Sequence, residues 1–364
     1  MDNQPHPEGH PEPPMAISVA ESRPPGQPSG PKSRPLARLL LLLLVLGLGG
    51  SLLLNVLLLA AAGLARLGSL DSSRKVQERF FSHEPGGRDK VAILSLEGTI
   101  LSGEGFIKDQ IDRAVDDPDV KAVVLRVDSP GGTITGSDYI YHHLCRLRDE
   151  SEVPIVVSMG GLAASGGYYV SMACGDDGAV FAEPTTWTGS IGVIIPHYNL
   201  SELLGKWGVE EDSIASHPLK QIGSFAKPMT DEERKILQEL VDESFTQFKD
   251  VIKEGRPAFR KDPEALDALA TGQIYSAQQA LEHGLIDKIG FLEDAVEKAI
   301  ELAKLDEKDV EVVRYHREPS LVGVLLGGRA AKGQPDLATL LELSAPRAYY
   351  LCTWLPPLAE SAKP

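Results

Sequence analysis

A serine set between small residues offers the clearest chemistry in this chain of 364 residues. Ser165 lies in the stretch A-A-S-G-G, after an apolar β-branched run at residues 153–157 and before a run that can be helical at residues 168–173. At such a strand-to-helix turn the hydroxyl is accessible, and the amides of the first helical turn can hold a developing oxyanion. The pattern therefore predicts a nucleophile, although a serine that merely caps a helix would look the same in isolation.

A second glycine turn could complete an oxyanion site. The apolar run at 122–127 predicts a buried strand that ends in D-S-P-G-G at 128–132, and a helix is predicted over 137–148. Two strand-glycine-helix units can face each other across a cleft at the carboxyl ends of adjacent parallel strands. In that arrangement the amides of Gly132 and Gly166 would form a pair of oxyanion donors.

The general base is less evident from the residues alone. Among nine histidines, only His197 and His217 are plausible members of a triad, and neither has an obvious partner carboxylate. Lys220 lies among apolar and short turn residues. A lysine can take a serine proton when burial disfavours its charged form. No H-E-x-x-H or C-x-x-C spacing predicts a metal site, and no cofactor is expected.

Taken together, these segments resemble the bacterial signal peptide peptidase family, the SppA type of membrane-bound serine protease. The resemblance runs from about Val91 to Leu305, with all motifs in family order. They are V-L-R-V-D-S-P-G-G (124–132), G-L-A-A-S-G-G-Y-Y (161–169), T-G-S-I-G-V (188–193), K-Q-I-G-S (220–224) and T-G-Q-I-Y (271–275), followed by A-L-E-H-G-L-I-D (280–287).

The resemblance implies a Ser-Lys dyad protease of α/β class with a Clp-type, crotonase-like fold. Ser165 would be the nucleophile, Lys220 the general base and Ser190 the residue that orients the lysine amine. The oxyanion amides would be those of Gly132 and Gly166. Family members of this length also assemble, so a homo-oligomeric ring or dome is expected.

The pattern of composition predicts five segments. Residues 1–38 hold ten prolines and predict a disordered tail. Residues 39–65 run for 27 residues without a charge, which is enough to span a bilayer as one helix; a cleaved signal peptide is the alternative. A linker (66–89), a peptidase domain (90–305) and a C-terminal tail of unclear structure (306–364) follow.

Strand and helix patterns alternate within the predicted domain. Strands are predicted at 91–96, 122–127, 153–159, 179–181 and 193–196, and helices at 107–115 and 201–207. T-D-E-E at 230–233 predicts the start of a long helix that ends near Gly255. This alternation favours an α/β domain built from right-handed βαβ units.

The predicted function is a membrane-anchored endopeptidase that hydrolyses hydrophobic peptides such as signal peptides. The resemblance implies a location in the bacterial inner membrane with the catalytic domain outside the cytoplasm. The positive charges flanking the apolar run nearly balance, so they do not decide the topology by themselves. A net charge of −16 argues against nucleic acid as a partner. The alternatives are a catalytically silent membrane scaffold and a crotonase-type acyl-CoA enzyme. The apolar patch at 349–355 could pack on a neighbour, touch the bilayer or approach the cleft.

Overall fold

The computed structural model describes residue 39 and residues 42–56, 76–317 and 349–351. The chain divides into two compact units, Met1–Gly63 and Leu64–Pro364. In the first unit, residues 42–56 form helix α1, whose apolar side chains are exposed. None of the described helices is both long and apolar enough to cross a membrane.

Two predictions for the N-terminal unit therefore stay predictions. The membrane helix at 39–65 is only partly described, because residues 40–41 and 57–65 lie outside the described ranges. The Pro-rich tail at 1–38 also lies outside them.

The second unit alternates strands and helices. In chain order these are β1 (Val76–His83), β2 (Asp89–Glu97), α2 (Phe106–Asp116), β3 (Val120–Ser129), β4 (Gly131–Thr133), α3 (Ile134–Ser151), β5 (Ile155–Ala164), α4 (Gly166–Ser171), β6 (Ala179–Ala182), β7 (Trp187–Gly189), α5 (Ser201–Lys206), α6 (Asp231–Gly255), α7 (Ala258–Lys261), α8 (Pro263–Leu269), β8 (Ile274–Ser276), α9 (Ala277–Glu282), β9 (Lys288–Ile289), α10 (Leu292–Leu302), β10 (Val310–Arg317) and β11 (Tyr349–Leu351).

A mainly parallel sheet organises this unit. Within the described residues it has nine strands, in the order β1-β10-β2-β3-β5-β6-β9, while β7 pairs with both β5 and β8. The neighbours β2, β3, β5 and β6 are parallel, and helices connect β2 to β3 and β3 to β5. The predicted α/β class with βαβ units is confirmed.

Apolar side chains cover both faces of the central strands. In β2, Ala92 and Leu94 pack toward α2, α3 and α4, whereas Val91 and Ile93 pack toward α10. Parallel strands buried on both faces need near-continuous apolar runs, which is why these segments were recognisable as strands. The core holds the carboxyl ends of β3 and β5 rigidly, and the candidate site lies there.

The sheet extends beyond the predicted domain limits of 90 and 305. Strand β1 falls in the predicted linker, and β10 falls in the predicted C-terminal tail, yet the two pair with each other and β10 pairs with β2. Their partners are distant in sequence, so local patterns could not reveal the pairing.

The strand predicted at 193–196 is wrong. Gly189 and Ser190 both have left-handed backbone angles, with φ of 83° and 51°, and they turn the chain out of the sheet after β7. Residues 193–228, which we call the arm, then run over the surface, and none of them is buried. The arm contains the predicted helix at 201–207, observed as α5, and a 3₁₀ turn at Pro218–Gln221.

The long helix predicted after the arm is confirmed as α6. The Thr230 side chain accepts the amide of Glu233 at 3.2 Å, and the Glu233 carboxylate accepts the amide of Thr230 at 2.9 Å. Lys227 also donates to Glu233 at 2.6 Å. These contacts satisfy the free amides of the first turn and fix the point where the arm rejoins the domain.

Candidate active site

Ser165 occupies a strained corner between β5 and α4. Its φ of 54° and ψ of −114° are rare for a residue with a side chain, and its hydroxyl makes no capping hydrogen bond to the helix. The interpretation that this serine is merely a helix cap is therefore wrong. Strained backbone of this kind persists where the surrounding structure holds it, and it is common at functional residues.

The Ser165 hydroxyl is buried without a partner. The residue is 1% exposed, and its Oγ has no hydrogen bond among the described residues. Its main chain, by contrast, is fully engaged: the amide donates to Gly189 O at 2.8 Å, and the carbonyl accepts the Tyr169 amide at 2.9 Å. A buried hydroxyl without a hydrogen-bond partner needs an explanation, and a nucleophile that reacts with a bound substrate is one.

Ser190 lies directly beside Ser165. The two serines follow Ala164 and Gly189, which pair at the ends of the parallel strands β5 and β7. Ser190 is 8% exposed, and its amide donates to Gln273 O at 2.7 Å. The structure therefore brings together two serines that are 25 residues apart in sequence, as the predicted roles require.

The two predicted oxyanion glycines also converge on this point. A Cβ built on Gly131 would lie 2.5 Å from the Gly166 amide nitrogen, and one built on Gly166 would lie 3.1 Å from that of Gly132. Ile100 bonds to Gly131 O and Thr133 N on one side of β4. Since backbone groups alternate along a strand, the Gly132 amide points to the opposite side.

Each turn residue here is a glycine for a visible reason. Gly131 has a φ of 91°, and a Cβ on Gly132 would clash with the Ile100 carbonyl. Ser129, which the sequence did not single out, secures the turn: its Oγ donates to Gly98 O at 2.6 Å and accepts the Gly131 amide at 3.1 Å. We call Ser165, Ser190, Gly132 and Gly166 the serine corner.

Lys220 is not part of this corner in the structure. It lies in the 3₁₀ turn of the arm, and its side chain is exposed. Among the described residues no hydrogen bond or ion pair joins it to either serine. Its amide donates to His217 O at 2.9 Å, which orders the turn.

The two candidate histidines also stay apart from Ser165. His197 Nε2 lies 3.2 Å from Ser224 O, and His217 Nδ1 accepts the Leu219 amide at 3.2 Å. Both rings are engaged in ordering the arm itself. A histidine triad on Ser165 has no support in this geometry.

The C-terminal strand β11 lies on the cleft. It pairs antiparallel with β4, placing Tyr350 opposite Gly132 and Leu351 opposite Gly131. Tyr350 is fully buried. The sequence left open whether the patch at 349–355 packs on a neighbour, touches the bilayer or approaches the cleft. Its described part, residues 349–351, lies beside the cleft.

Known proteins resemble the region of the chain that holds these serines. The model of Peptidase family S49 matches residues 148–306, which include both serines and Lys220. A relative from Synechocystis sp. that is named as a protease is 39% identical over 241 residues, covering 66% of this chain and 84% of the relative. A relative from Enterococcus faecium named for signal peptide peptidase SppA is 36% identical over 269 residues, covering 70% and 76%.

A longer relative shares only part of its length. Protease 4 of Salmonella typhi is 32% identical over 264 residues, which cover 70% of this chain but 41% of that protein. Protease names recur among these relatives, and none of the three supports an acyl-CoA enzyme. The coverage of the first two relatives and the family match over residues 148–306 lead to one conclusion: the chain belongs to peptidase family S49.

Proposed function

We propose that this peptidase is a serine endopeptidase in which Ser165 is the nucleophile and Lys220 the general base. The observation that carries the proposal is the buried, unpartnered Ser165 hydroxyl beside the amides of Gly132 and Gly166. A nucleophile held next to two preorganised amide donors is the arrangement that acyl transfer requires.

The chemistry runs in two halves. The neutral lysine amine takes the serine proton while Oγ attacks the peptide carbonyl, whose oxygen becomes an anion held by the two amides. The C–N bond then breaks, and the lysine returns the proton to the departing amine. In the second half the lysine takes a proton from water, the hydroxide attacks the ester, and Ser165 leaves with the proton restored.

For this mechanism, the Lys220 amine must come within reach of the Ser165 hydroxyl. No residue of the arm is buried, and several of its large apolar side chains face solvent: Tyr198 is 75% exposed, Trp207 73% and Phe225 50%. Exposed apolar patches of this kind mark interaction surfaces. We therefore propose that arms of several copies pack together into a homo-oligomer, and that Lys220 becomes buried near Ser190 when they do.

The proposed substrates are extended apolar peptides, including signal peptides. The edge of β4 accepts an extended strand, as its pairing with β11 demonstrates. Main-chain pairing of this type favours unfolded segments, because most strands of a folded protein are already paired or covered. The uncharged run at 39–65 would keep the enzyme at the membrane, with this domain outside the cytoplasm of a bacterial cell.

Labelling with a fluorophosphonate tests the nucleophile directly. We expect one adduct on Ser165 and Ser165-dependent hydrolysis of apolar fluorogenic peptides. Lys206→Ala is the matched control for Lys220→Ala, since both lysines are exposed residues of the arm. Hydrolysis that persists in Ser165→Ala, or no hydrolysis of any peptide by the wild-type chain, would refute the proposal.

Co-expression of Ser165→Ala and Lys220→Ala chains identifies the source of the base. If each variant alone is inactive and the mixture regains activity, one chain supplies the serine and another the lysine. If the mixture stays inactive, the arm closes on its own domain.

A further inference from the structure

A cavity of about 620 Å³ at the carboxyl ends of β2 and β10 has no role in the proposed chemistry. Both strands line it, together with β1, the loop that follows β2 and the first turn of α2. In α/β sheets, ligands bind in crevices at the carboxyl ends of the strands. The side chains that face this cavity therefore indicate which ligand it could hold.

Three arginines line the cavity, and we call Arg79, Arg314 and Arg317 the arginine cluster. Arg79 in β1 is directly opposite Arg314 in the antiparallel β10. Side chains of opposite residues leave the same face of a sheet with Cβ atoms about 5 Å apart, so two like charges in these positions destabilise the pair. Arg317, at the end of β10, lies 5.2 Å from the centre of the Phe106 ring of α2. An anion bound between the arginines would relieve the repulsion.

The carboxylates at this cavity do not neutralise the arginine cluster. Glu97 lies 3.8 Å from Arg314, which is long for an ion pair, and its side chain is 67% exposed. Glu104 also lines the cavity. Within the described residues, Glu104 forms no ion pair, and neither do Arg79 and Arg317. Three guanidinium groups thus face two carboxylates in a chain whose net charge is −16, and a bound anion would account for this local excess of positive charge.

A phosphate group fits this set of donors better than a carboxylate does. Its tetrahedral oxygens accept hydrogen bonds from several directions, and guanidinium groups bind them in bidentate geometry. The hydroxyls of Ser95 and Ser102 line the same cavity and can donate further bonds. The first turn of α2 adds amides that no side chain caps, because its N-cap is Gly105. His316 is a further lining residue, and its Nδ1 is buried without a hydrogen-bond partner in the described part of the chain.

We infer that the arginine cluster binds a phosphate group, and that the source of this phosphate is the headgroup of an anionic membrane lipid. Residues 66–75 separate the proposed membrane run at 39–65 from Val76, the first residue of β1, which pairs with Arg317. The first described strand of this unit therefore begins beside the arginine cluster. Phe80 is 46% exposed, and a ring of this kind beside cations is typical of surfaces that bind a membrane interface. The lipid source rests on the proposed membrane attachment, whereas the phosphate site does not.

Binding is measured with the full chain in a neutral detergent at low ionic strength. The probe is dioctanoyl phosphatidylglycerol, and native mass spectrometry gives the fraction of the chain that carries the lipid. We expect saturable binding that inorganic phosphate competes away. Dioctanoyl phosphatidylcholine should compete more weakly, because its choline group is a cation and would face the arginines.

Alanine variants of the arginine cluster test which side chains bind. Loss of each arginine should weaken binding of the lipid about fivefold, and loss of all three about a hundredfold. The matched control removes the same charge elsewhere: it combines Arg88→Ala, Arg146→Ala and Arg234→Ala, at three exposed positions outside the cavity. The control should bind the lipid within about twofold of the wild-type chain, because charges far from the cavity are screened.

Arg79→Gln separates a ligand site from a structural role. Because Arg79 repels Arg314, this variant should melt at the temperature of the wild-type chain or higher when phosphate is absent. Inorganic phosphate, compared with chloride at equal ionic strength, should raise the melting temperature of the wild-type chain, since it binds the folded state. This rise should largely disappear in the variant. A structural arginine would instead give a lower melting temperature and an unchanged response to phosphate.

Two results would overturn the phosphate site: equal loss of lipid binding in the control and in the arginine-cluster variant, or the structural outcome for Arg79→Gln. Binding of inorganic phosphate without a preference for phosphatidylglycerol over phosphatidylcholine would overturn the lipid source and support the phosphate site. Hydrolysis of a soluble apolar peptide should be unchanged in all arginine variants. Ser165-dependent hydrolysis without lipid binding would refute the lipid inference alone, and lipid binding without hydrolysis would refute the proposed endopeptidase alone.

Discussion

The serine corner and the arm that carries Lys220 are built in opposite ways. All four residues of the corner are buried: Ser165 and Ser190 directly follow strands β5 and β7, Gly132 is the central residue of β4, and Gly166 begins α4. The arm has no buried residue in 36 positions, all of them described, and Ile214 at its centre is fully exposed. One half of the proposed dyad is rigid and complete, and the other is on a surface segment.

Because of this difference, substitutions in the two regions should affect the stability of the fold and the catalytic activity to different extents. Burial of apolar area supplies most folding free energy, about 25 cal/mol per Å², so residues around the corner contribute to both fold and chemistry. Side chains of the arm contribute little to the fold of this domain. We therefore expect substitutions of Lys220 and of the large exposed apolar residues in the arm to change catalysis or assembly while leaving the free energy of unfolding almost unaltered.

The largest effect should follow loss of either dyad residue. Ser165→Ala and Lys220→Ala should each reduce kcat by at least about a thousandfold, and the double variant should lose little more, because the two residues act as a unit. Peptide hydrolysis under saturating substrate measures this. Melting temperatures should stay close to wild type for Lys220→Ala, as its side chain is exposed.

Lys206→Ala should keep wild-type kcat. If it lost as much activity as Lys220→Ala, the arm would matter for its general charge and not for one amine. If the Ser165 and Lys220 effects multiplied in the double variant, the two residues would act independently.

A methyl group added at the corner should cost more than one added in the arm. A Cβ on Gly166 would clash with the Ser137 hydroxyl, whereas nothing lies within 4 Å of a Cβ on Gly205. Gly166→Ala should displace the oxyanion amide and lower kcat by about a hundredfold or more with a small change in KM. Gly205→Ala should be silent in steady-state kinetics.

Ser137→Gly combined with Gly166→Ala tests the cause. Removing the Ser137 side chain should recover part of the lost kcat if the clash displaces the amide. A rise in KM with unchanged kcat would mean that Gly166 contributes to substrate binding and not to stabilisation of the transition state.

Polar substitutions in the arm should have a moderate effect. Trp207→Ser together with Ile214→Ser should lower the mass of the assembly, seen by light scattering, and reduce kcat/KM by about tenfold or more. The free energy of unfolding should change by less than about 0.5 kcal/mol, as for other surface changes. Unchanged mass and activity would show that the exposed arm has no partner in solution.

The smallest effect on activity is expected at the other end of β3, where Asp117 lies 3.0 Å from the Lys90 amine. Burial, the largest influence, raises the pKa of Asp117, but the Asp119 amide and Lys90 together outweigh it and hold that pKa below its ordinary value. Asp117→Asn should destabilise the fold by about 1–3 kcal/mol at neutral pH, with kcat unchanged.

The sign of its pH dependence follows from the lowered pKa. The contribution of Asp117 to the free energy of unfolding is complete above about pH 4 and is lost as pH falls through the lowered value. The difference between wild type and Asp117→Asn in urea unfolding should therefore shrink as the pH is lowered from about 5 to about 2. A difference that stays constant over this range would show that the carboxylate is not stabilised in the fold.

Local patterns were sufficient for the parts of the fold in which neighbours in sequence act together. The apolar runs of β2, β3 and β5 and the capping box of α6 are short-range signals, and the structure contains all of them. The pairing of β1 with β10 was not predictable, because it joins residues more than 200 positions apart. The false strand at 193–196 shows the same limit: its residues are strand-like, but only Ile194 is in a β-bridge and no strand forms there.

By itself, the sequence determined the α/β class and the two glycine turns, and it predicted Ser165 as the candidate nucleophile, because these are signals carried by residues that are neighbours in the chain. Tertiary structure alone decided that Ser190 lies beside Ser165, that Lys220 is exposed and that Tyr350 is buried next to Gly132. Those outcomes depend on strand pairing and on the path of the chain after Ser190. Such contacts between distant residues are set by the packing of the whole domain, and no local pattern encodes them.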